Sequence, residues 1–276
     1  MTNKLNIAVF PVAGYGTRFL PITKAMPKEL LPVLDKPLIQ HAVEEAVAAG
    51  IETLIFVTGR NKRAIEDHFD RNLELEASLI SKNKLEAAEM VSNILPSNVE
   101  CIFVRQPEQL GLGNAVLCAE RVVGDNPFLV LLADDFLTKN KYNTSECLIS
   151  AFKATGKSQL SAMEVDKSEV SKYGVISPSL NSNAVLSMVE KPTIKEAPSN
   201  LASIGRYVLT PDIFSILNKL KPGFGNEIQL TDAIDEQARN NAVEFVPLAS
   251  KRFDCGSLQG YLNAISYTAK EMGYNF

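Results

Sequence analysis

The chain has 276 residues, 46 % of them hydrophobic, enough for a substantial core in one large domain or two small ones. Its net charge of −4 leaves no overall electrostatic footprint for nucleic acid. No apolar run reaches the ~18 residues of a membrane span, and the polar start, Met1 to Asn6, does not read as a signal peptide.

The apolar run Ile7–Phe10 predicts a buried strand that stops at Pro11. From Pro11 to Pro37 the chain reads PVAGYGTRFLPITKAMPKELLPVLDKP, with prolines at 11, 21, 27, 32 and 37. Each proline lacks an amide donor and fixes φ, so this is a long rigid loop rather than one helix. Gly14 and Gly16 let backbone N–H groups come close to an anion. Arg18 and Lys28 can add charge-assisted bonds to phosphate oxygens. The spacing fits neither G-x-x-x-x-G-K-[ST] nor G-x-G-x-x-G, whose third glycine is replaced by Phe19. A nicotinamide oxidoreductase is thereby disfavoured. A lone G-x-G-T-R also suits an ordinary strand-to-loop turn.

Strand and helix signals then alternate, which predicts an α/β fold with a mainly parallel sheet. Pro37 opens a helix with the face Ile39, Ala42, Val43, Ala46 and Val47, ended by Gly50. Thr53–Thr58 reads as a strand and Asn61–Asp70 as a helix. Leu73–Ile94 carries helical periodicity, broken near Ser81-Lys82-Asn83, and Cys101–Val104 is the next strand. The polar turn from Arg105 to Ala115 opens a helix that continues to Arg121. Its glycines are what any βα loop would use. In a functional loop, the donor and acceptor of Gln106 can match a base edge, and Gly111 lets backbone reach the same base.

Phe128–Leu132 predicts a strand covered on both faces. Asp134 and Asp135 follow at its C-terminal end, where open α/β sheets bind ligands. Adjacent acids there can simply cap a turn. They also suit Mg²⁺, which takes one or two carboxylates plus phosphate oxygens. Asn143–Gly156 reads as a helix and Gln159–Glu164 as a strand. Short β-rich runs follow at Tyr173–Ser177, Ala184–Val189 and Leu201–Leu209. Gly174 permits close backbone approach, and Pro192 ends a strand after Glu190-Lys191, a pair that elsewhere is usually solvated surface. Pro211–Leu220 is an amphipathic helix, and Gly223–Ile234 is a glycine turn entering another. Phe253-Asp254 ends a strand. Ser257 can cap a last helix with the face Leu258, Tyr261, Leu262, Ile265, Ala269 and Met272. Cys101, Cys118, Cys147 and Cys255 have no metal spacing and read as reduced, partly buried thiols of a cytoplasmic protein. His41 and His68 fall in helical patterns and read as structural.

Taken whole, the loop resembles the A-G-x-G-T-R-x-x-P-x-T-K-x-x-P-K-x-x-L-P-x-x-D-K-P signature of sugar-1-phosphate nucleotidylyltransferases. Lys28-Glu29, Gln40, the helical stretch 73–94, Glu190-Lys191-Pro192 and the run Gly223–Ile234 resemble the bacterial UTP–glucose-1-phosphate uridylyltransferase branch. In that run Asn226 stands where Gly or Asp is common. The resemblance implies a Rossmann-like, glycosyltransferase-A-like fold: a mixed, mainly parallel sheet flanked by helices, with a small β-rich sugar-binding part. It implies one nucleotidyltransferase domain over 1–276, with a nucleotide half to about 158 and a sugar half from about 159.

It further implies catalytic roles for Arg18, Lys28, Asp134 and Lys191. Ala13, Gly14, Gly16, Thr17, Glu29, Gln106 and Gly111 would meet the nucleotide, with Gln106 and Gly111 reading uracil. Gly174, Glu190 and Lys191 would meet the sugar and its phosphate. Mg²⁺ would sit on Asp134, with Asp135 pointing elsewhere or supporting it. Asp254 would be either a second metal carboxylate or a cap at the start of the last helix. The implied reaction turns UTP and glucose 1-phosphate into UDP-glucose and pyrophosphate. The implied assembly is a homodimer or homotetramer, with no nucleic-acid or membrane partner. A non-catalytic sugar-nucleotide-binding regulator is disfavoured because Arg18, Lys28, Asp134 and Lys191 are all present. A glucose-1-phosphate thymidylyltransferase tends to have Gln where Glu29 stands and lacks the E-I-Q-L-T-D-A-I run.

Overall fold

The computed structural model describes residues 4–138 and 141–274, so residues 1–3 of the polar start lie outside it. Strand β1 (Ile7–Pro11) runs into the proline-rich loop, which forms only single turns and a two-residue hairpin, β2 (Pro32–Val33) with β3 (Lys36–Pro37). Helix α1 (Leu38–Ala48), β4 (Thr53–Thr58), α2 (Arg63–Phe69), α3 (Leu73–Ser81), α4 (Leu85–Ser92) and β5 (Glu100–Arg105) follow. Then come α5 (Leu112–Leu117), α6 (Glu120–Val123), β6 (Phe128–Leu131), β7 (Asp135–Leu137), α7 (Thr144–Thr155) and β8 (Ser158–Glu164). The last third is β9 (Gly174–Pro178), β10 (Val185–Glu190), β11 (Leu201–Leu209), α8 (Asp212–Leu217), α9 (Leu230–Arg239), β12 (Val243–Pro247), β13 (Arg252–Asp254) and α10 (Leu258–Glu271).

The sheet is mixed. Its order is β10-β9-β11-β6-β1-β4-β5, and β8 pairs β11 on one side and β12 on the other. The β6-β1-β4-β5 portion is parallel, and β11 runs antiparallel to β6, β8 and β9. Strands from both halves of the sequence therefore share one sheet.

Side chains alternate along a strand, and here both faces are apolar. Val9, Ile55, Val57 and Val130 face Val116, Ile213, Leu230 and Ile234 of α5, α8 and α9. Ala8, Phe10, Leu54, Phe56 and Leu129 face Ile39, Val43, Leu148 and Ile149 of α1 and α7. Each such large side chain, fully buried, contributes about 1.5–3 kcal/mol. A smaller cluster joins Phe19, Leu31 and Val33 of the loop to Phe136, Cys255 and Ala264. It clamps the loop onto β7 and α10, and Tyr261 Oη donates to Pro32 O at 2.8 Å. Asn143 and Glu146 form a reciprocal capping box on α7, while Ser257 Oγ accepts from Gly260 N at the start of α10.

Two local expectations need correction, and one strand is added. The helix expected to continue to Arg121 is two short helices, α5 and α6, broken at Cys118-Ala119. The 73–94 stretch ends at Ser92, and its break carries Asn83 at φ 55°. Strand β12, parallel to β8, was not foreseen. Among the described residues no helix is long and apolar enough to cross a membrane.

Candidate active site

The loop after β1 turns at Gly16, whose φ of 67° is left-handed and favours glycine. Thr23 Oγ1 donates to Gly16 O at 2.7 Å, which folds the loop back over Lys28. There Lys28 Nζ meets Asp134 Oδ2 at 2.5 Å, and Arg18 Nη1 donates to Gly256 O at 3.3 Å. A side chain at Gly256 would place its Cβ 3.0 Å from both Asp134 Oδ2 and Asp254 Oδ1, and 3.4 Å from Arg18 Nη1. Two cations and two carboxylates thus border one small volume that a glycine leaves open.

The acids reach this volume from two strands. Asp134 sits in the turn between β6 and β7, and the antiparallel β7–β13 ribbon sets Asp135 opposite Asp254. Cys255 N donates to Asp134 O at 2.8 Å. The buried guanidinium of Arg206, paired with Glu45, donates to Leu132 O and Asp135 O and so fixes the turn. Asp254 Oδ1 accepts from Gly256 N at 3.0 Å, so it braces the approach to α10, whereas the cap itself is Ser257. Asp135 points away from Asp134. Its Oδ2 accepts from Gly205 N at 2.9 Å and its Oδ1 meets Arg252 at 2.5 Å.

The donor set fits a hard cation. Mg²⁺ prefers one or two carboxylates plus phosphate oxygens. Among the described residues no group of three or more His, Cys, Asp or Glu is placed to hold a metal alone. Asp134 and Asp254 would supply the protein ligands, and the Lys28 ammonium already marks Asp134 Oδ2 as a cation-accepting oxygen.

Beside the loop lies a cavity of about 310 Å³ lined by Ala13, Gly14, Thr17, Lys24, Lys62 and Gln109 among others. Gln109 Nε2 donates to Ala13 O at 2.7 Å. Gln106 is 6 % exposed. Its Nε2 donates to Gly111 O at 3.3 Å and to Asn114 Oδ1 at 2.8 Å, so its donor side is engaged by its own loop and the first turn of α5. Gly111 has φ 99°, and a Cβ there would lie 2.7 Å from Glu227 Cβ. Ile228 N donates to Leu110 O and Ile228 O accepts from Gly113 N, both at 2.8 Å. The 223–234 run, which carried no assigned chemistry, therefore grips the Gln106–Gly113 loop.

A second group forms at the end of β10. Glu190 Oε2 accepts from Thr231 Oγ1 at 2.6 Å, and Glu190 Oε1 meets Lys191 Nζ at 3.3 Å. Gly174 lies against them, since a Cβ there would be 2.6 Å from Met188 Cε and 3.4 Å from Glu190 Oε2. Lys191 has φ 44°, a conformation that costs a non-glycine residue about 1–3 kcal/mol. Its N–H is held by Tyr173 O at 2.9 Å, and its ammonium lies 5.4 Å from the Phe224 ring centroid. Gly174, Glu190 and Lys191 are thus brought together.

Comparison with known proteins gives the lineage. The family model described as nucleotidyl transferase matches residues 8–271. The UTP–glucose-1-phosphate uridylyltransferase of Pseudomonas aeruginosa is 46 % identical over 265 residues, which is 94 % of each chain. The chain belongs to the nucleotidyl transferase family, in its UTP–glucose-1-phosphate uridylyltransferase branch. A crystal structure described as UDP-glucose pyrophosphorylase complexed with UDP-glucose matches at TM-score 0.89 and 45 % identity, over 97 % of this chain and all of that one. One described as UTP-bound UGPase from Acinetobacter baumannii matches at TM-score 0.90 and 42 % identity, over 97 % and 94 %.

In this nucleotidyl transferase the electrostatics follow the packing. Burial alone would raise Asp134, but the charge and hydrogen bond of Lys28, a backbone hydrogen bond and the charge of Arg252 together outweigh it and hold the carboxyl below the usual carboxylate range. Burial would lower Lys28, and Asp134 with Glu29 raises it instead. Glu29, placed by resemblance on the nucleotide, is 2 % exposed and meets Lys62 Nζ at 2.6 Å under the loop; Lys62 is 4 % exposed. Burial pushes Glu29 up and Lys62 down. Burial also pushes Asp135 up, against the charge of Arg252.

The sequence alone does not mark Lys62, Gln109, Thr231 or Arg252, and Arg206 is simply one position of the β-rich run Leu201–Leu209. Each has a partner far away in the chain, and a single charged or polar residue carries no local sign of such a partner. His41 packs edge-on to Phe136, and His68 Nε2 lies 3.2 Å from Gln40 Oε1. All four cysteines are free, with the Cys101 and Cys255 thiols pushed up to about 12 by burial.

Proposed function

We propose that this nucleotidyl transferase makes UDP-glucose and pyrophosphate from UTP and glucose 1-phosphate. The reading rests on Arg18, Lys28, Asp134 and Asp254 converging on the space beside Gly256. Its relatives support it, being described as UDP-glucose pyrophosphorylase complexed with UDP-glucose and as UTP-bound UGPase.

A phosphate oxygen of glucose 1-phosphate attacks the α-phosphorus of UTP. That P–O bond forms as the bond to the departing pyrophosphate breaks in line with it. The attacking group is already an anion, so no protein nucleophile or base is required. The difficulty is repulsion between two polyanions, and positioning with preorganised charge removes it. Arg18 holds the departing phosphates. Lys28 exchanges Asp134 for the nucleotide phosphates. The backbone of Gly16 and Thr17 lies along the same phosphates, while Gln106 and Gly111 face the uracil with Ala13 and Gly14 on its other side. Glu190 accepts from glucose hydroxyls beside Gly174, and Lys191 holds the incoming phosphate. Mg²⁺, when bound through Asp134 and Asp254, would supply further positive charge to the phosphates. The proposal includes a cytoplasmic location and a homodimer or homotetramer.

Lys191→Ala is expected to raise KM for glucose 1-phosphate about 10- to 100-fold, the worth of a lost charge-assisted bond. KM for UTP is expected to stay near wild type. Steady-state kinetics with each substrate varied checks this, and equal loss for both would remove the role.

The deciding assay is pyrophosphate release from purified protein with glucose 1-phosphate and Mg²⁺. UTP and dTTP are run in parallel, each with an EDTA control. The expected result is EDTA-sensitive release with UTP and little with dTTP. Equal rates would point to a broader nucleotidylyltransferase. No release, with UDP-glucose still binding, would point to a regulatory relative.

A further inference from the structure

Arg252 lies on β13, two residues before Asp254, and its side chain is 10 % exposed. Its Nε and Nη2 both meet Asp135 Oδ1 at 2.5 Å. Its Nη1 donates to Tyr173 Oη at 2.9 Å, and the guanidinium carbon lies 5.1 Å from the Tyr173 ring centroid. Tyr173 in turn accepts the Lys191 N–H through its backbone carbonyl and precedes Gly174, which pairs with Glu190 across β9 and β10. One guanidinium therefore ties the ribbon bearing Asp134 and Asp254 to the segment bearing Glu190 and Lys191.

The planar fork matters. One edge of a guanidinium can hold a carboxylate while its other nitrogen donates elsewhere, and a lysine ammonium is a single point on a flexible stem. Lys191 needs such an anchor, because its left-handed backbone is held by the Tyr173 carbonyl. In-line transfer is sensitive to small misplacement of the attacking group.

We infer that Arg252 is a positioning residue, acting through Tyr173, that holds the acceptor-phosphate lysine in register with the nucleotide side. This rests on the transfer reaction proposed above. Arg252 is itself engaged by Asp135 and Tyr173 and acts through them. Loss of the Tyr173 hydroxyl should therefore loosen the sugar-phosphate side and spare the nucleotide side.

The test uses the full-length protein with Tyr173→Phe, Arg252→Lys and the pair combined. Tyr173→Phe removes one hydroxyl and keeps the ring, so it is the variant expected to stay folded; thermal melting checks this. KM for glucose 1-phosphate is expected to rise about tenfold in Tyr173→Phe, with KM for UTP within about twofold of wild type. Arg252→Lys is expected to show the same split, and the combined variant to be no worse than Arg252→Lys alone. Calorimetric titration in EDTA gives a second readout. UDP-glucose affinity is expected to fall about tenfold in Tyr173→Phe while affinity for UMP, which lacks the phosphate that Lys191 holds, is expected to stay unchanged. Wild-type behaviour of Tyr173→Phe, parallel rises in both KM values, or additive effects would each overturn the inference. If wild type turns over UTP and glucose 1-phosphate, those outcomes overturn the inference alone. No turnover by wild type would overturn the proposed reaction and the inference with it.

Discussion

Asp134→Ala is expected to lose turnover by a factor on the order of 10²–10³ and to remain folded, the scale seen when one preorganised electrostatic group is removed from a reacting centre. The carboxylate is part-exposed at the mouth of the Gly256 space, so its removal leaves no closed void. The turn that carries it is held independently by Arg206 and by Cys255 N on Asp134 O, and a main-chain contact survives alanine. Lys28 loses its partner but keeps part of its side chain in solvent. Activity and stability should therefore separate. The checks are kcat with UTP and glucose 1-phosphate, and a melting curve on the same sample. Turnover like wild type would remove Asp134 from the reaction.

The largest expected loss of stability comes from Lys62→Met. Glu29 and Lys62 are the most deeply buried of the ion pairs named here, and cutting one partner leaves an uncompensated buried charge. Such cuts cost about 3–5 kcal/mol. Burial already pushes Glu29 up, and without Lys62 the shift grows. An acid whose folded pKa exceeds its unfolded one binds its proton more tightly when folded. The stability of Lys62→Met should therefore decline as pH rises from the ordinary glutamate value of about 4.3 toward the raised folded value. Replacing both residues, Lys62→Met with Glu29→Leu, should restore most of the loss. Denaturant unfolding at acidic and neutral pH measures all three. A loss below about 1 kcal/mol in the single variant would mean the pair behaves like a surface bridge.

The chemistry of the site was legible where the backbone had to do something unusual. Prolines at 21, 27 and 32 and the glycines at 14 and 16 mark the loop. An acid pair after a continuous apolar run marks Asp134. What supports these groups left no local trace. Lys62 precedes Arg63 at the start of α2 and reads as solvated surface, although it lies beneath the loop. Arg252 and Arg206 carry bonds across 117 and 161 residues, which no spacing rule can reveal. Strand β12 is short, carries Glu244 within an apolar run, and pairs β8 in parallel far from its place in sequence. The break between α5 and α6 carries neither Gly nor Pro.

The Arg18–Gly256 hydrogen bond also bears on how the molecule is made, because 238 residues separate its ends. A ribosome adding about 5–20 residues per second finishes the cationic loop well before it reaches the far carboxylate. Parallel strands such as β1 and β4 can associate while the rest is still being synthesised, yet the charge cluster cannot. Lys28 must wait for Asp134, 106 residues on, and Arg18 must wait for Gly256, 238 residues on. A chain terminated before Gly256 contains the residues of every strand and lacks the glycine beside which Arg18, Asp134 and Asp254 meet.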